Sequence, residues 1–199
     1  IDEYTMGHGR TVEVAIKDDE VRVRDYGRGI PVGRVVDCVS KINTGGKYDS
    51  RAFKKSVGLN GVGTKAVNAL STEFVVESVR EGQIKRAGFV LGELTDDAKV
   101  ESTTKRNGTR IRFKPDPDIF KAYRFRTEHV EKLLWNYAYL NTGLTLYLNG
   151  EKFRSEHGLK DLLEDRLDSK LRYPIVHLSG EDIEVAITHT DAYGEDYQS

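Results

Sequence analysis

Two short runs near the start of the chain alternate strictly between apolar and polar positions. Thr11 to Ile16 sets Val12, Val14 and Ile16 on one side, and Val21 to Arg24 alternates again after Lys17-Asp18-Asp19-Glu20. Alternation with a period of two across a polar turn predicts a β-hairpin with one buried face. Ahead of it, residues 1–9 read as the end of a helix closing at Gly7 or Gly9, because glycine adopts the left-handed cap without a Cβ penalty. Val35, Val36, Val39 and Ile42 recur at helical spacing and predict a core-facing helix over residues 33–42, stopped by Thr44-Gly45-Gly46.

From Gly45 to Gly63 glycine, lysine and serine dominate without apolar periodicity, which predicts a mobile loop. Val62 to Leu70 follows as a helix. Phe74 to Val79, Gln83 to Leu91 and Thr109 to Phe113 read as strands, separated by turns at Glu81-Gly82 and Asn107-Gly108. Lys114-Pro115-Asp116-Pro117 breaks the pattern. Beyond it Val130, Leu133, Leu134, Tyr137 and Leu140 mark an amphipathic helix with Thr127 as N-cap. Asn149-Gly150 closes another hairpin, Leu159 to Leu167 gives a short helix, and Ile175 to Leu178 and Ile183 to Thr188 give strands of a second sheet. The expected architecture is an α+β sandwich, a mixed and mostly antiparallel sheet with helices on one face. A domain boundary is expected near 170, with one domain over 1–170 and the beginning of another over 171–199.

Composition narrows the class. The chain has 199 residues, 38% hydrophobic and 32% charged, with no apolar stretch long enough for a membrane span and no signal segment, so a soluble cytoplasmic protein is expected. One cysteine, Cys38, excludes an internal disulfide, and the five scattered histidines have no zinc spacing. A net charge of -1 lacks the overall basic balance of nucleic-acid binders, so any DNA contact must be local or lie elsewhere. The chain opens on Ile1 and ends at Gln198-Ser199, the pattern of a fragment.

Two short motifs are decoys. Val14-Ala15-Ile16-Lys17 and Asp25-Tyr26-Gly27 imitate the lysine strand and metal triplet of protein kinases, but they fall on opposite arms of one hairpin and no His-Arg-Asp loop exists. Gly45-Gly46-Lys47-Tyr48 fails as a Walker loop, since Tyr48 replaces the required Ser or Thr and the first glycine of the motif is missing.

The productive set is Asp25-x-Gly27-x-Gly29, then Gly45-Gly46-Lys47, then Gly58-x-x-Gly61-x-Gly63 opening a helix. A buried carboxylate at Asp25 accepts the exocyclic amine of adenine, which guanine cannot supply from its carbonyl. Gly29 lets a flat ring approach the backbone. Helix amides near Gly61, Val62 and Gly63 point at phosphate, and Lys47, Lys54 and Lys55 add charge. Each piece alone is most often a turn, a helix stop or a solvated loop; their order and chemistry together favour a nucleotide.

Asp25-Tyr26-Gly27-Arg28-Gly29-Ile30-Pro31, Thr44-Gly45-Gly46-Lys47-Tyr48, Gly58-Leu59-Asn60-Gly61-Val62-Gly63 and Val67-Asn68-Ala69-Leu70-Ser71, in this order, resemble the ATPase region of the B subunits of bacterial type II DNA topoisomerases, gyrase and topoisomerase IV. The resemblance runs over essentially the whole chain. Hsp90-type chaperones, mismatch-repair clamps and sensor kinases share Asp-x-Gly-x-Gly but lack the Gly-Ile-Pro and Val-Asn-Ala-Leu-Ser segments. It implies a Bergerat-type fold of the GHKL superfamily, with Asp25 and the Thr109 hydroxyl on adenine, Gly29 and Ile30 beside them, and Gly45 to Gly63 as an ATP lid whose Lys47, Lys54, Asn60, Gly61, Val62 and Gly63 approach the phosphates. It also implies a rim of Glu3, Arg28, Pro31 and Arg80 that aminocoumarin-type inhibitors contact, with Glu3 paired to Arg28.

What the resemblance implies for the parent protein is ATP hydrolysis with Mg2+, strand passage of DNA, work with a topoisomerase A subunit, and closure of two B subunits into a homodimer on ATP binding. The water-activating Glu and magnesium-binding Asn are expected ahead of Ile1, and a lysine loop contacting the γ-phosphate beyond Ser199, so no catalytic or metal-binding residue is assigned within the chain. Asp2 and Glu3 follow the catalytic turn and read as pocket-edge charges. Tyr26, Val57 and Asn60 stand where Asp, Gly and His are common. The competing expectations are a nucleotide-responsive module without hydrolysis and a chaperone or repair clamp of the same superfold.

Overall fold

The structure, a computed structural model, describes residues 1–42, 44, 61–180 and 183–192. The expected Gly45-to-Gly63 loop therefore lies mostly outside the described residues, as do Lys47, Lys54 and Asn60.

The chain enters through a single helical turn, α1 (Asp2–Thr5), followed by Gly7 and Gly9, both with positive φ. The alternating runs form β1 (Thr11–Lys17) and β2 (Glu20–Asp25), paired antiparallel with Val14 opposite Val23. Lys17 lies opposite Glu20 and Val12 opposite Asp25, so the kinase-like lysine and aspartate sit at opposite ends of the hairpin. A short 3-10 turn, Val32–Arg34, leads into α2 (Val35–Ser40), and α3 (Gly63–Ala69) precedes the strands β3 (Ser71–Arg80) and β4 (Gln83–Val90). After β5 (Glu93–Asp97), β6 (Glu101–Ser102) and β7 (Gly108–Pro115) come α4 (Pro117–Phe120) and α5 (Thr127–Leu140). The described chain ends with β8 (Thr145–Leu148), β9 (Glu151–Phe153), α6 (Leu159–Arg166), β10 (Val176–Ser179) and β11 (Glu184–Ile187).

Among the described residues nine strands form one sheet in the order β5-β4-β3-β7-β2-β1-β8-β9, with β6 added beside β4. Of its described strand pairs only β1–β8 is parallel; β10 and β11 form a separate antiparallel pair. Register puts Val14, Val23, Ile111, Val76 and Ala87 in one row across the sheet, and the side-chain period of two sends this row to a single face. Helices cover that face in two patches. Val35 and Val39 of α2 pack on Phe74, Val76, Ala87 and Phe89, with Phe74 and Phe89 edge to face at 5.9 Å. Leu134 and Ala138 of α5 pack on Leu144, Leu146, Leu148 and Phe153. Burying side chains of this size stabilises by about 1.5–3 kcal/mol each.

Three readings are corrected. The second helix stops at Ser40, and Ile42 is 68% exposed rather than facing the core, because Thr44 turns the chain by donating its hydroxyl to the carbonyls of Asp37 and Lys41. Thr127 is the first residue of α5, not its cap; Arg126 occupies the cap position with no side-chain bond. The buried stripe of α5 runs through Leu134, Ala138 and Tyr139, while Leu133, Tyr137 and Leu140 point outward. Both sets have helical spacing, and Ala138, too small to register as an apolar signal, is the residue that lets α5 approach the sheet.

Candidate functional site

Asp25 ends β2 at the sheet face that carries the helices. Its two carboxylate oxygens are held by different pieces of backbone: Oδ1 accepts the Gly27 N–H at 2.8 Å and Oδ2 the Thr109 N–H at 3.1 Å. The first bond is a local turn, the second reaches across to the start of β7. A carboxylate oxygen has about two acceptor positions, so each keeps one for a ligand after these bonds form. Thr109 is thus tied to Asp25 through its backbone amide, a role the expectation of a hydroxyl contact did not include.

Three glycines let these strands meet. A Cβ at Gly108, where φ is +133°, would stand 2.2 Å from the Asp25 carbonyl oxygen. A Cβ at Gly29, where φ is +81°, would stand 2.3 Å from the Val79 carbonyl oxygen, and one at Gly27 would meet the Glu3 side chain at 2.8 Å. Gly29 and Ile30 are pinned to β3 by Ser78, whose buried hydroxyl donates to the Ile30 carbonyl at 2.8 Å, and by Arg80, whose Nη1 donates to the Gly29 carbonyl at 3.3 Å. Ile30 packs against the α2 core patch, and Pro31 starts the 3-10 turn.

At the rim Glu3 and Arg28 form a bidentate pair. Arg28 Nη2 donates to Glu3 Oε1 at 2.9 Å, its Nε to Oε2 at 3.1 Å, and its backbone N–H to Oε2 at 2.8 Å. Burial alone would push the Glu3 carboxyl up; the bonds from the Arg28 side chain and backbone, with the Arg28 charge, outweigh it and hold Glu3 below its ordinary value. A depressed carboxyl stabilises the fold above its unfolded pKa, and that contribution disappears as pH falls through the folded value. Glu3→Gln should therefore lower the melting temperature at neutral pH, with the gap to wild type closing below the usual carboxylate range. A gap that stays constant into acid would show that the pair's charge is not what stabilises.

α3 presents its first turn beside Gly61, where φ is +58°. Lys65, a residue the motifs do not single out, is 8% exposed and donates from Nζ to the Gly61 carbonyl at 2.6 Å, placing a buried ammonium at the end of the Gly61-Val62-Gly63 turn. Its signal in the sequence is only a lysine four residues after a glycine. Asn68, by contrast, is structural: 1% exposed, it donates to the Val39 carbonyl at 3.0 Å and locks α3 to α2.

The residues brought together are thus Asp25, Thr109, Gly29 and Ile30, with Glu3, Arg28, Pro31 and Arg80 near them; Gly61, Val62 and Gly63 stand at the start of α3. Lys47, Lys54 and Asn60 lie outside the described residues. A hollow of about 480 Å³ lies on the opposite sheet face, among Arg22, Arg24, Arg86, Arg110 and Arg112, with Glu13 and Glu77 also in its lining.

The class of protein follows from fold and site together. The chain has the fold of the 43K ATPase domain of Thermus thermophilus gyrase B, whose crystal structure in complex with an aminocoumarin matches with a TM-score of 0.76 and 29% identity, covering 97% of this chain and 55% of that one. In sequence it is 44% identical over 200 residues to the B subunit of DNA topoisomerase 4 from Borreliella burgdorferi, covering all of this chain and 33% of the relative. It is 33% identical over 219 residues to the DNA gyrase B protein of Helicobacter pylori, covering 98% and 28%. No family model matches. The chain belongs to the family of type II DNA topoisomerase B subunits and spans about a third of the length of these relatives.

Proposed function

We propose that the chain is the ATP-binding region of a type II topoisomerase B subunit, and that its parent protein hydrolyses ATP to drive passage of one DNA segment through another. The observation that carries the binding half is the Asp25 carboxylate, held by two backbone amides with acceptor positions left over beside Gly29. An adenine amine donates to Asp25, the ring lies along the Gly29-Ile30 backbone, and the phosphates run toward Gly61, Val62 and Gly63. Lys65 supplies positive charge there, joined by Lys47, Lys54 and Asn60 from the lid. The residues 171–199 begin a second domain, with the division near 170.

Hydrolysis requires a base within hydrogen-bond reach of the attacking water. Glu3 is a poor candidate because both its oxygens are engaged by Arg28. The water-activating Glu belongs ahead of Ile1, and in-line attack on the γ-phosphate would be assisted electrostatically by the lysines. Among the described residues no three His, Cys, Asp or Glu side chains converge on a metal position, so the Mg2+ that accompanies ATP would be held mainly by the phosphates and by residues outside this set. The aminocoumarin rim comprises Glu3, Arg28, Pro31 and Arg80. DNA, an A subunit and a second copy of the B subunit are the partners of the parent protein.

Calorimetry on the chain with ATP and GTP tests the reading. ATP should bind at least about tenfold more tightly, the discrimination expected from one charge-assisted hydrogen bond that guanine cannot make. Equal affinities, or no binding of either, would remove the adenine site.

A further inference from the structure

We propose that the open face of the main sheet, opposite the helices and the Asp25 pocket, is a docking surface for the phosphate backbone of duplex DNA. The same register that sends Val14, Val23, Ile111, Val76 and Ala87 inward sends a second set outward. Arg24, Arg110 and Arg86 fall in one row across β2, β7, β3 and β4, and Arg22 and Arg112 in the next row, two residues along each strand. Together with Glu13 and Glu77 they line a hollow of about 480 Å³. In a chain whose net charge is -1, five guanidinium groups on one face are a concentration, not a background.

The carboxylates on this face do not cancel them. Glu20 engages Arg22 at 2.5 Å and Arg112 at 3.0 Å, Glu73 reaches Arg112 at 3.4 Å, and Glu77 lies 3.9 Å from Arg110. Glu20 and Glu77 are largely covered, but Arg22 and Arg110 stay exposed and each guanidinium has more N–H donors than these pairs use, so a phosphate can join the pair without displacing the glutamate. Arg86 is exposed and forms no ion pair among the described residues. Arg24 is 9% exposed; its Nη2 donates to the Arg106 carbonyl at 2.8 Å, its guanidinium lies 5.1 Å from the Tyr26 ring centroid, and no carboxylate pairs with it among the described residues. Glu13, which accepts the Tyr26 hydroxyl at 3.0 Å, adds one carboxylate to the lining against the five arginines.

Arginine rather than lysine on all five positions favours a ligand with planar, multiply accepting anions, and phosphodiesters fit that description. Strands about 4.8 Å apart, with same-face residues about 6.7 Å apart along each, spread the charge as a grid, which suits a repeating polyanion better than a single ion. The choice of DNA among polyanions rests on the topoisomerase reading above. Its contribution would be sequence-independent and salt-dependent.

The test uses the chain itself, a fluorescently labelled duplex and the double variant Arg22→Glu/Arg86→Glu, neither residue being part of the nucleotide pocket. Anisotropy at about 50 mM salt should give a dissociation constant at least about tenfold weaker for the variant, with the slope of log affinity against log salt reduced by roughly 2. ATP affinity, measured alongside, should not change; its loss in wild type would indict the nucleotide reading, not this one. Arg22→Gln/Arg86→Gln, which removes charge without reversing it, should fall between. Wild-type chain that does not bind the duplex, or a variant that binds it equally well, overturns the proposal. Displacement of the duplex by polyglutamate at equal charge concentration would also overturn it, and would assign the face to an acidic protein surface.

Discussion

Replacing Asp25 by alanine should weaken ATP binding by between roughly 10- and 100-fold, the effect of losing a charge-assisted hydrogen bond of about 1.5–3 kcal/mol. In the proposed reading the carboxylate does two jobs: it accepts the adenine amine, and it ties the Gly27 turn to Thr109 on β7. Alanine abolishes both and leaves two amides in need of partners. Asparagine separates them. It keeps the shape, but its NH2 group must confront one of the two N–H donors, and the same group can donate to the carbonyl of guanine. Asp25→Asn should therefore lose ATP affinity while narrowing the preference of ATP over GTP, with circular dichroism unchanged. Calorimetry on both variants decides the matter, and ATP affinity within twofold of wild type in each would sink Asp25 as the adenine anchor.

How much of this is legible in the sequence depends on the distance over which each residue finds its partner. The β1–β2 hairpin and the cap at Gly7 depend on neighbours within a few residues, and both can be read directly. The Asp25 site is readable as an acceptor beside glycine. Its second amide, from Thr109, comes from 84 residues away and carries no local mark. Ser78, 48 residues from Ile30, has the same character. β5, with the sequence Glu-Leu-Thr-Asp-Asp, is exposed at every position and is a strand only because β4 offers an open edge; no propensity announces it. α4 is hidden in what reads as a proline break, although Asp116 caps it by accepting the Asp118 N–H at 2.8 Å. The arginine rows are present in the alternation from the start. They become a surface only once the order of the strands places β2, β7, β3 and β4 side by side.

Gly108→Ala should be a severely damaging change of a glycine in the site, and a second glycine provides the measure. Gly150 closes the β8–β9 hairpin with φ +92°, and a Cβ there meets nothing within 4 Å. Alanine at Gly150 thus incurs only the backbone penalty of a positive φ, about 1 kcal/mol, which corresponds to a fall of about 2–4 °C in melting temperature for a chain of this size. Gly108 has φ +133° and a Cβ position 2.2 Å from the Asp25 carbonyl oxygen, which is backbone and cannot swing aside. To admit the methyl group the end of β2 must separate from the start of β7, and that separation breaks the bond between the Thr109 amide and Asp25 Oδ2. The expected result is a fall in melting temperature at least twice that of Gly150→Ala, together with loss of measurable ATP binding in protein that is still folded. Equal melting temperatures for the two variants, with ATP affinity intact in Gly108→Ala, would mean that the close approach of these two strands is not what builds the pocket.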